Sequence, residues 1–577
     1  MKEINTTAKH KTSAALWLFT LAALLIFLGL GIREPWPADE PRFALIAKEM
    51  VESGQWFFPA RAGEFYPDKP PIFMWAIACF FALTGSIKFA FLLPSALCSL
   101  LTLFLVYDLS KRLWGKEEAI IAAALLLFSF QFLLQAKTAQ IDAMVTCWIT
   151  IGCYSLLRFF LVERCWRWYY LAFFFMGVGV ITKGVGFLPL LMLIPYYFYQ
   201  KQTETIKRAE RYTMLRWLAG PLVMLFAIAL WFVPMLLLVE HSNDPALFQY
   251  RDNILFKQTV TRYTDSWHHI KPFWYYLIEV IPVFWLPISL ALPWLVPHWV
   301  KAAKQRDGRI ILPLVWILLL LLFFSVSPGK RGVYILPALP MLALICAPYT
   351  RSVIEHKTVS WIVWSIVLTL SLALLAFGLA GIGELSFVVK LEDRFGVSPR
   401  LFFTAIGATG VAATLIALTQ PRWRVWPFFM CILWGYYSTW GYVLLDNVKT
   451  PKGVFQNIQN TIDHENITLA LVDFSEQFVL FSPYPIVHFG YHTDSEDQKR
   501  AAYHWLERAN TTKYVLIDKS QVTGECFNAD KAIDLGYAHR THWVLLSTDG
   551  LNENCPLPEK GVSLFRYTSI STGTSRR

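Results

Sequence analysis

The chain has 577 residues, of which 55% are hydrophobic and only 16% are charged. Soluble proteins carry about 25% charged residues, so a single soluble globular fold is excluded. The net charge of +11 does not indicate nucleic-acid binding, because many basic residues lie in short loops between apolar runs, such as 201–216 and 301–309. That placement is typical of membrane proteins, whereas a nucleic-acid interface forms a basic patch on a soluble domain.

The first apolar run, 14–32, follows three lysines among the first eleven residues. The run is longer than the hydrophobic part of most signal peptides, and no clear small-residue cleavage site follows it. It therefore predicts a transmembrane helix with a cytoplasmic N-terminus. The next apolar segment, 70–87, begins with Pro70-Pro71 and lies inside a long first outer loop at 33–88. We interpret this segment as a helix in the membrane interface.

The predicted fold class is a polytopic α-helical membrane protein with about 13 transmembrane helices and a C-terminal soluble α/β domain. An odd number of spans from a cytoplasmic N-terminus places the C-terminal domain outside. The sequence thus predicts a transmembrane domain at 1–446 and a periplasmic α/β domain at 447–577. The predicted spans are 14–32, 89–109, 117–136, 141–162, 168–182, 184–200, 214–239, 273–298, 310–327, 332–349, 358–383, 400–419 and 424–445.

The C-terminal domain alternates short strand-like runs with one helix, predicted at 494–508. Its two cysteines, Cys526 and Cys555, are predicted to form a disulfide, because a periplasmic domain lies in an oxidising compartment. The other seven cysteines lie in apolar membrane segments, where they are interpreted as packing residues. The predicted strands are 468–474, 478–481, 514–517, 543–547 and 563–567.

Charged side chains from many separate segments are predicted to face the outer side of the membrane domain. Charges at such positions are costly and are candidates for function. Asp39, Lys69 and Lys330 lie beside proline or glycine, which fix the backbone or let it approach a ligand closely. The adjacent His268 and His269 are more typical of a structural or solvated pair than of a metal site. The charged residues at this face are Asp39, Glu40, Arg42, Asp68, Lys69, Asp142, Lys183, Arg262, Lys330 and Arg331.

Several stretches, in order along the membrane domain, resemble motifs of the bacterial lipid A aminoarabinose transferases, which belong to a wider group related to the protein O-mannosyltransferases. The resemblance implies a GT-C type integral-membrane glycosyltransferase of the bacterial inner membrane. It implies an undecaprenyl-phosphate-linked sugar donor and an acceptor such as lipid A or another envelope glycan. The matching stretches are Trp36–Ala44, Ser53–Trp56, Tyr66–Pro71, Thr182–Gly184, His269–Tyr276 and Ser327–Pro337.

The resemblance also implies roles for single residues. Asp39 matches the candidate catalytic acid, with Glu40 as second choice and Arg42 as the neighbouring partner. Lys69 matches a lysine that holds the carrier phosphate, and Arg262 matches a phosphate-binding arginine. The residues that fall at positions lining the same cavity in relatives are Asp142, Lys183 and Tyr334.

The chain departs from the aminoarabinose pattern at three places. Asp68 stands where those enzymes have Glu, and Thr259 stands where they have His. The stretch 329–334 reads Gly-Lys-Arg-Gly-Val-Tyr rather than Gly-Lys-Leu-Pro-Thr-Tyr. These differences leave the fold and the donor class unchanged but leave the sugar and the acceptor open. A divalent metal also stays open as a cofactor, with Asp68 and His269 as its candidate ligands.

The residue types suit transfer of a sugar from a phosphate carrier. The leaving phosphate gains negative charge, which preorganised cations stabilise, and removing one such donor costs roughly 3–4 kcal/mol of barrier. Lys69, Arg262 and Lys330 are the candidate cations. A carboxylate, with Asp39 as first choice, activates or orients the acceptor. If the acceptor is a phosphate, it is already ionised, and Asp39 would position it or bind a metal.

Two other classes of function compete with this interpretation. A transporter or flippase of lipid-linked sugars would explain many helices, but such proteins usually show repeated halves or broken mid-membrane helices with buried charges. Here the charges gather at one face. The second alternative is a non-catalytic envelope assembly protein whose C-terminal domain binds a partner.

Overall fold

The computed structural model describes residues 2–202, 211–255, 270–462, 467–508, 512–522 and 525–568. Within these ranges the first 450 residues are almost entirely helical, and a six-stranded sheet follows. Thr259, Arg262, His268 and His269 lie outside the described residues, so the structure gives no account of their predicted roles.

The helices of the membrane part are mostly long, and several are continued by short 3-10 or π segments. The 3-10 and π segments are Arg158–Val162, Val185–Met192, Tyr276–Val280, Gly332–Ile335, Arg422–Arg424 and Tyr437–Gly441. The α-helices are Lys2–Phe27, Glu40–Ser53, Ile72–Thr84, Ile87–Ala90, Leu93–Leu113, Lys116–Leu127, Phe130–Ala136, Ile141–Leu157, Trp166–Lys183, Leu193–Gln202, Arg211–Glu240, Pro245–Asp252, Ile281–Phe284, Ile288–Lys304, Gly308–Val326, Ala338–Ile354, Lys357–Ile382, Ser386–Phe395, Arg400–Ile416, Val425–Tyr436 and Tyr442–Lys449.

Among the described residues, six helices are long and apolar enough to cross a membrane, and two bent pairs raise the number to at most eight. This is fewer than the thirteen predicted spans. The length of an apolar run does not show whether the helix is broken within it. The predicted span 273–298 bends by 109° between Phe284 and Ile288. Pro287 lies at this bend and has no backbone N–H to donate within a helix. Other predicted spans fall on shorter apolar helices such as Ala338–Ile354 and Arg400–Ile416. The chain is a multi-pass helical membrane protein.

The segment predicted to lie in the interface contains a helix of 13 residues, Ile72–Thr84. A bilayer-spanning helix needs about 20 residues, so this helix is too short to cross alone. Gly85 ends it in the left-handed conformation with φ 67°, which glycine adopts without a steric penalty. Phe73 and Ile77 are buried against the helix Glu40–Ser53 and its neighbours, so the helix supports the first outer loop.

Two short strands between the first helices, β1 (Ala60–Arg61) and β2 (Glu64–Phe65), form a separate antiparallel pair.

The C-terminal part is built around a mixed sheet of six strands. These are β3 (Thr468–Leu471), β4 (Ile486–His488), β5 (Lys513–Asp518), β6 (Ile533–Ala538), β7 (Thr541–Leu546) and β8 (Phe565–Tyr567). Their order in the sheet is β6-β7-β5-β3-β4-β8. Strand β3 pairs in parallel with β4 and β5, while the other pairs are antiparallel. The α-helices of this part are Lys452–Thr461, Glu476–Phe481 and Ser495–Glu507.

Most predicted elements of this domain are present, with small shifts of their ends. The predicted strand at 478–481 is wrong, because Glu476–Phe481 is a helix. A run of four apolar residues has no periodicity that separates a strand from a buried helical turn. Strand β4 was missed, and so was β6, whose pairing is interrupted between Asp534 and Gly536.

A disulfide joins Cys526 and Cys555, whose Cα atoms lie 4.6 Å apart. Backbone contacts hold the two segments together: Phe527 pairs with Leu551, and the Asn552 N–H donates to the Cys526 carbonyl at 3.0 Å. The remaining seven cysteines are free thiols.

We expect seven of the nine cysteines to react with a thiol reagent in the denatured protein without reductant, and all nine after reduction. The two cysteines are 29 residues apart in the sequence. Closing a loop of this length is worth roughly 3 kcal/mol in the chain-entropy model, so Cys526→Ser is expected to destabilise the C-terminal domain by about that amount. Intact-mass spectrometry after labelling counts the thiols, and exposed Cys79 serves as the labelling control. Nine labelled cysteines without reductant would contradict the disulfide.

Candidate functional site

The helix Glu40–Ser53 fixes the position of the first acidic motif. Asp39 is its N-cap residue, and Pro41 lies in its first turn, where the fixed φ of proline suits a helix start. At the other end Gly54 adopts the left-handed conformation with φ 74°, which closes the helix. Phe43 and Ile46 are buried, so packing holds the helix and leaves Asp39 on a rigid terminus.

Glu40, next to Asp39, is buried and hydrogen-bonded to several neighbouring groups. Its carboxylate oxygens accept hydrogen bonds from the Arg33 guanidinium at 2.5 and 2.7 Å. They also accept from the Trp36 N–H at 2.8 Å and the Ala139 N–H at 3.0 Å. Glu40 is only 5% exposed. Because four donors already occupy this carboxylate, we assign it to holding the loop, which leaves Asp39 as the stronger candidate for chemistry.

Asp39 lies between two guanidinium groups. Arg331 Nη2 donates to Asp39 Oδ2 at 3.1 Å, and Arg42 Nη1 lies 3.7 Å from Asp39 Oδ1. The Asp39 side chain keeps 18% of its surface exposed and that of Arg331 keeps 39%. Burial disfavours the charge of Arg331, but Asp39 and Asp142 hold its pKa above the ordinary value.

The sequence analysis named Lys330 as the candidate cation of this loop and gave the neighbouring Arg331 no role. The Lys330 ammonium donates to the Lys271 carbonyl at 2.8 Å. Burial lowers the pKa of Lys330 below its ordinary value. The structure therefore brings Arg331 to the acidic motif. The signal that could have found it is the second positive charge directly after Gly329-Lys330.

Asp142, Lys183 and Tyr334 come together from three separate segments. Asp142 lies in the first turn of the helix Ile141–Leu157, and Lys183 lies in the last turn of Trp166–Lys183. The two side chains form an ion pair, and Lys183 Nζ lies 4.6 Å from the centre of the Tyr334 ring. Arg331 is three residues before Tyr334 and interacts electrostatically with Asp142. We call Asp39, Arg42, Asp142, Lys183, Arg331 and Tyr334 the charged cluster.

Lys69 lies between β2 and the helix Ile72–Thr84, in the same loop as Asp39. It is half-buried. Three residues earlier, Tyr66 is buried and lies beside Arg42 and Arg61, so this end of the loop is packed close to the charged cluster. Among the described residues, no three His, Cys, Asp or Glu side chains form a group that could hold a metal ion.

The C-terminal part contacts the loop at 33–88 through Glu476, which the sequence analysis did not identify. Glu476 Oε1 accepts from Arg42 Nε at 2.7 Å and from Arg61 Nη1 at 3.1 Å. The Arg61 guanidinium also lies 3.7 Å from the centre of the Tyr491 ring, and the His488 ring nitrogen lies 2.9 Å from the Ala62 carbonyl oxygen. Glu476 therefore connects Arg42 of the charged cluster to the sheet domain.

We expect Glu476→Ala to weaken the attachment of the sheet domain. Arg61 is 2% exposed and would be left buried without its carboxylate, and breaking a buried pair costs about 3–5 kcal/mol. Thermal unfolding of the full-length protein and limited proteolysis after residue 450 measure the effect. Lys519→Ala is the control, since Lys519 pairs with Asp534 at the surface, where such pairs are worth about 0–1 kcal/mol. Equal stability of the two variants would contradict the role of Glu476.

Residues 68–235 match the family described as dolichyl-phosphate-mannose-protein mannosyltransferase. The chain is 33% identical over 342 residues to undecaprenyl phosphate-alpha-4-amino-4-deoxy-L-arabinose arabinosyl transferase 1 of Pseudomonas fluorescens, covering 57% of this chain and 59% of that protein. A Pseudomonas savastanoi relative of the same name is 33% identical over 349 residues, covering 58% and 61%. The chain thus spans about three fifths of the curated relatives it matches.

Solved structures share the fold over nearly the whole chain. ArnT from Cupriavidus metallidurans bound to undecaprenyl phosphate has a TM-score of 0.68 at 19% identity, covering 92% of this chain and 98% of that chain. The apo form of the same protein has a TM-score of 0.65 at 18% identity, with the same coverage. The resemblance to the aminoarabinose transferases and the related mannosyltransferases is therefore confirmed, and this chain is a multi-pass membrane protein with the GT-C fold.

Proposed function

We propose that this protein is an integral-membrane glycosyltransferase that moves a sugar from undecaprenyl phosphate to a periplasmic acceptor such as lipid A or another envelope glycan. The observation that carries the proposal is the charged cluster, in which Asp39 lies between Arg42 and Arg331 at a rigid helix start. The names of the curated relatives support the donor class, and the bound undecaprenyl phosphate in ArnT supports the same donor on this fold.

In the proposed reaction the bond from the sugar's anomeric carbon to the phosphate oxygen breaks. Undecaprenyl phosphate leaves with the electron pair, and an acceptor oxygen forms the new bond to that carbon. The leaving phosphate needs cations around it, since preorganised positive charge stabilises the developing anion. Lys69 and Arg331 supply that charge, and Arg262 remains a sequence-based candidate. Lys183 serves the site by holding Asp142 beside Tyr334.

Asp39 is the proposed group for the acceptor. If the acceptor is a hydroxyl, Asp39 takes its proton as the bond to the sugar forms. If the acceptor is a phosphate, no proton has to be removed, and Asp39 orients the acceptor through Arg331 and Arg42. Glu40 takes no part in the chemistry because Arg33 and two backbone N–H groups occupy its carboxylate.

Turnover by purified protein tests the proposal. Full-length protein in lipid nanodiscs is mixed with undecaprenyl-phosphate sugar and lipid A, and the released undecaprenyl phosphate is measured by mass spectrometry. Lys69→Ala is expected to lower the release at least about 10²-fold, since it removes a phosphate-binding cation. Lys560→Ala, at an exposed lysine of the sheet domain, is the control. Donor that crosses a bilayer with the protein but is not consumed would favour a flippase and overturn the proposal.

We also propose that the protein lies in the bacterial inner membrane with its N-terminus in the cytoplasm and the domain 447–577 in the periplasm. The bonds from Arg42 and Arg61 to Glu476 support one part of this, because they require the first outer loop and the sheet domain to lie on the same side. Reporter fusions after Arg112 and Lys304 are expected to read cytoplasmic, and a fusion after Pro451 periplasmic. A cytoplasmic signal after Pro451 would reverse the assigned orientation.

A further inference from the structure

Three carboxylates in or beside the charged cluster are each paired with a cation. Asp39 contacts Arg331 and Arg42, Asp142 pairs with Lys183, and Glu476 is shared by two arginines. Within the part of the chain that the structure describes, the cluster therefore offers no unpaired carboxylate to a positively charged ligand.

Among the cations of the charged cluster, Arg331 has the most exposed side chain. Its side chain is 39% exposed, against 20% for Arg42 and 15% for Lys183. A guanidinium carries five N–H donors in a planar fork, and among the described residues Arg331 uses one of them in a side-chain hydrogen bond, to Asp39. The open part of this group thus presents positive charge beside the carboxylate proposed to act at the reaction centre.

A sugar whose anomeric carbon lies beside Asp39 has its other ring substituents within a short distance of Arg331. A hydroxyl or a carboxylate on that ring can accept hydrogen bonds from the guanidinium. A protonated amine can accept none and is repelled by the like charge. Discrimination by an unfavourable like-charge contact is a common way to reject one of two similar ligands.

We propose that Arg331 is a specificity-determining residue that makes this site take a neutral or acidic sugar and reject a sugar bearing a cationic amine. The inference rests on the proposed function, because it concerns the sugar of the same donor. It separates this chain from the relatives whose name specifies an amino sugar, and it narrows the donor to sugars without a protonated amine.

Two donors that differ in one substituent test the inference. Dissociation constants are measured for full-length protein in nanodiscs with undecaprenyl-phosphate L-arabinose and with its 4-amino-4-deoxy counterpart. We expect the arabinose donor to bind at least about 10-fold more tightly, which corresponds to about 1.4 kcal/mol. Arg331→Met, which keeps side-chain length but removes the charge, is expected to bring the ratio of the two constants near one. Arg331→Lys is expected to keep the preference.

Equal or tighter binding of the amino sugar by the unaltered protein would overturn the inference, as would an unchanged ratio in folded Arg331→Met. Undecaprenyl phosphate without a sugar separates this failure from a failure of the proposed function. If undecaprenyl phosphate binds and the sugar preference is absent, only the proposed role of Arg331 in specificity is rejected. If neither the carrier nor either donor binds, the proposed donor class is wrong and the inference falls with it.

Discussion

Asp39→Asn is expected to lower sugar transfer by about 10²–10⁴-fold, the range that a positioned acid or base contributes, while the protein still folds and inserts. Asparagine has the shape of aspartate, and the Asp39 side chain makes no capping hydrogen bond that the change could remove, so the start of the helix Glu40–Ser53 is preserved. Its amide can still accept a hydrogen bond from Arg331, which lies 3.1 Å from the carboxylate. The change removes the negative charge and the basic oxygen and little else.

Asp307→Asn is the matched control for this variant. Asp307 is also the N-cap of a helix, Gly308–Val326, and its carboxylate pairs with Arg309. The same substitution there leaves the charged cluster untouched, and transfer is expected to stay within about twofold because capping is retained. Release of undecaprenyl phosphate by the two variants, at equal amounts of folded protein, gives the comparison. Wild-type turnover by Asp39→Asn would remove Asp39 from the reaction.

Asp39 could be selected from the sequence because its signal is local. A charge between prolines at the start of a predicted outer loop needs no knowledge of the fold. Its contact with Arg331 could not be predicted in this way, since Arg331 is 292 residues away and the contact depends on how the helices pack. Glu476, which lies 434 residues from Arg42, belongs to a segment that the sequence assigned to no site. Charge pairing across such separations is a property of the tertiary structure.

The fold shows the same division between local and non-local information. The apolar runs correctly predicted a multi-pass helical protein, and the helix 494–508 was predicted within a residue of Ser495–Glu507. Among the described residues, fewer than thirteen helices are unbroken and long enough to cross a membrane, because breaks such as the bend before Ile288 are set by proline and by packing. The short apolar run at 478–481 was assigned to the wrong element. Its sequence fits both a strand and a helical turn, and burial against the sheet decides between the two.

Glu40→Ala is expected to have a different effect from any change at Asp39, although the two residues are adjacent. Breaking a buried ion pair by removing one partner costs about 3–5 kcal/mol, and Arg33 is only 1% exposed. Lys137 lies nearby, where burial and the charge of Arg33 lower its pKa to about 7. Without Glu40, the Arg33 charge would have no carboxylate partner beside this lysine. Thermal unfolding and the yield of folded protein measure the loss.

Two further variants test whether Glu40 contributes to stability or to the reaction. Glu355→Ala removes an exposed glutamate at a helix end and is expected to change stability by less than about 0.5 kcal/mol. The double variant Arg33→Met with Glu40→Met is expected to recover much of the stability, since apolar residues of similar volume often replace a buried pair without loss. If Glu40→Ala instead folded normally and lost all transfer, Glu40 would be the catalytic carboxylate and Asp39 its neighbour. If Glu40→Ala loses stability and the double variant recovers it, the role of Glu40 is to hold the segment around Asp39 in place.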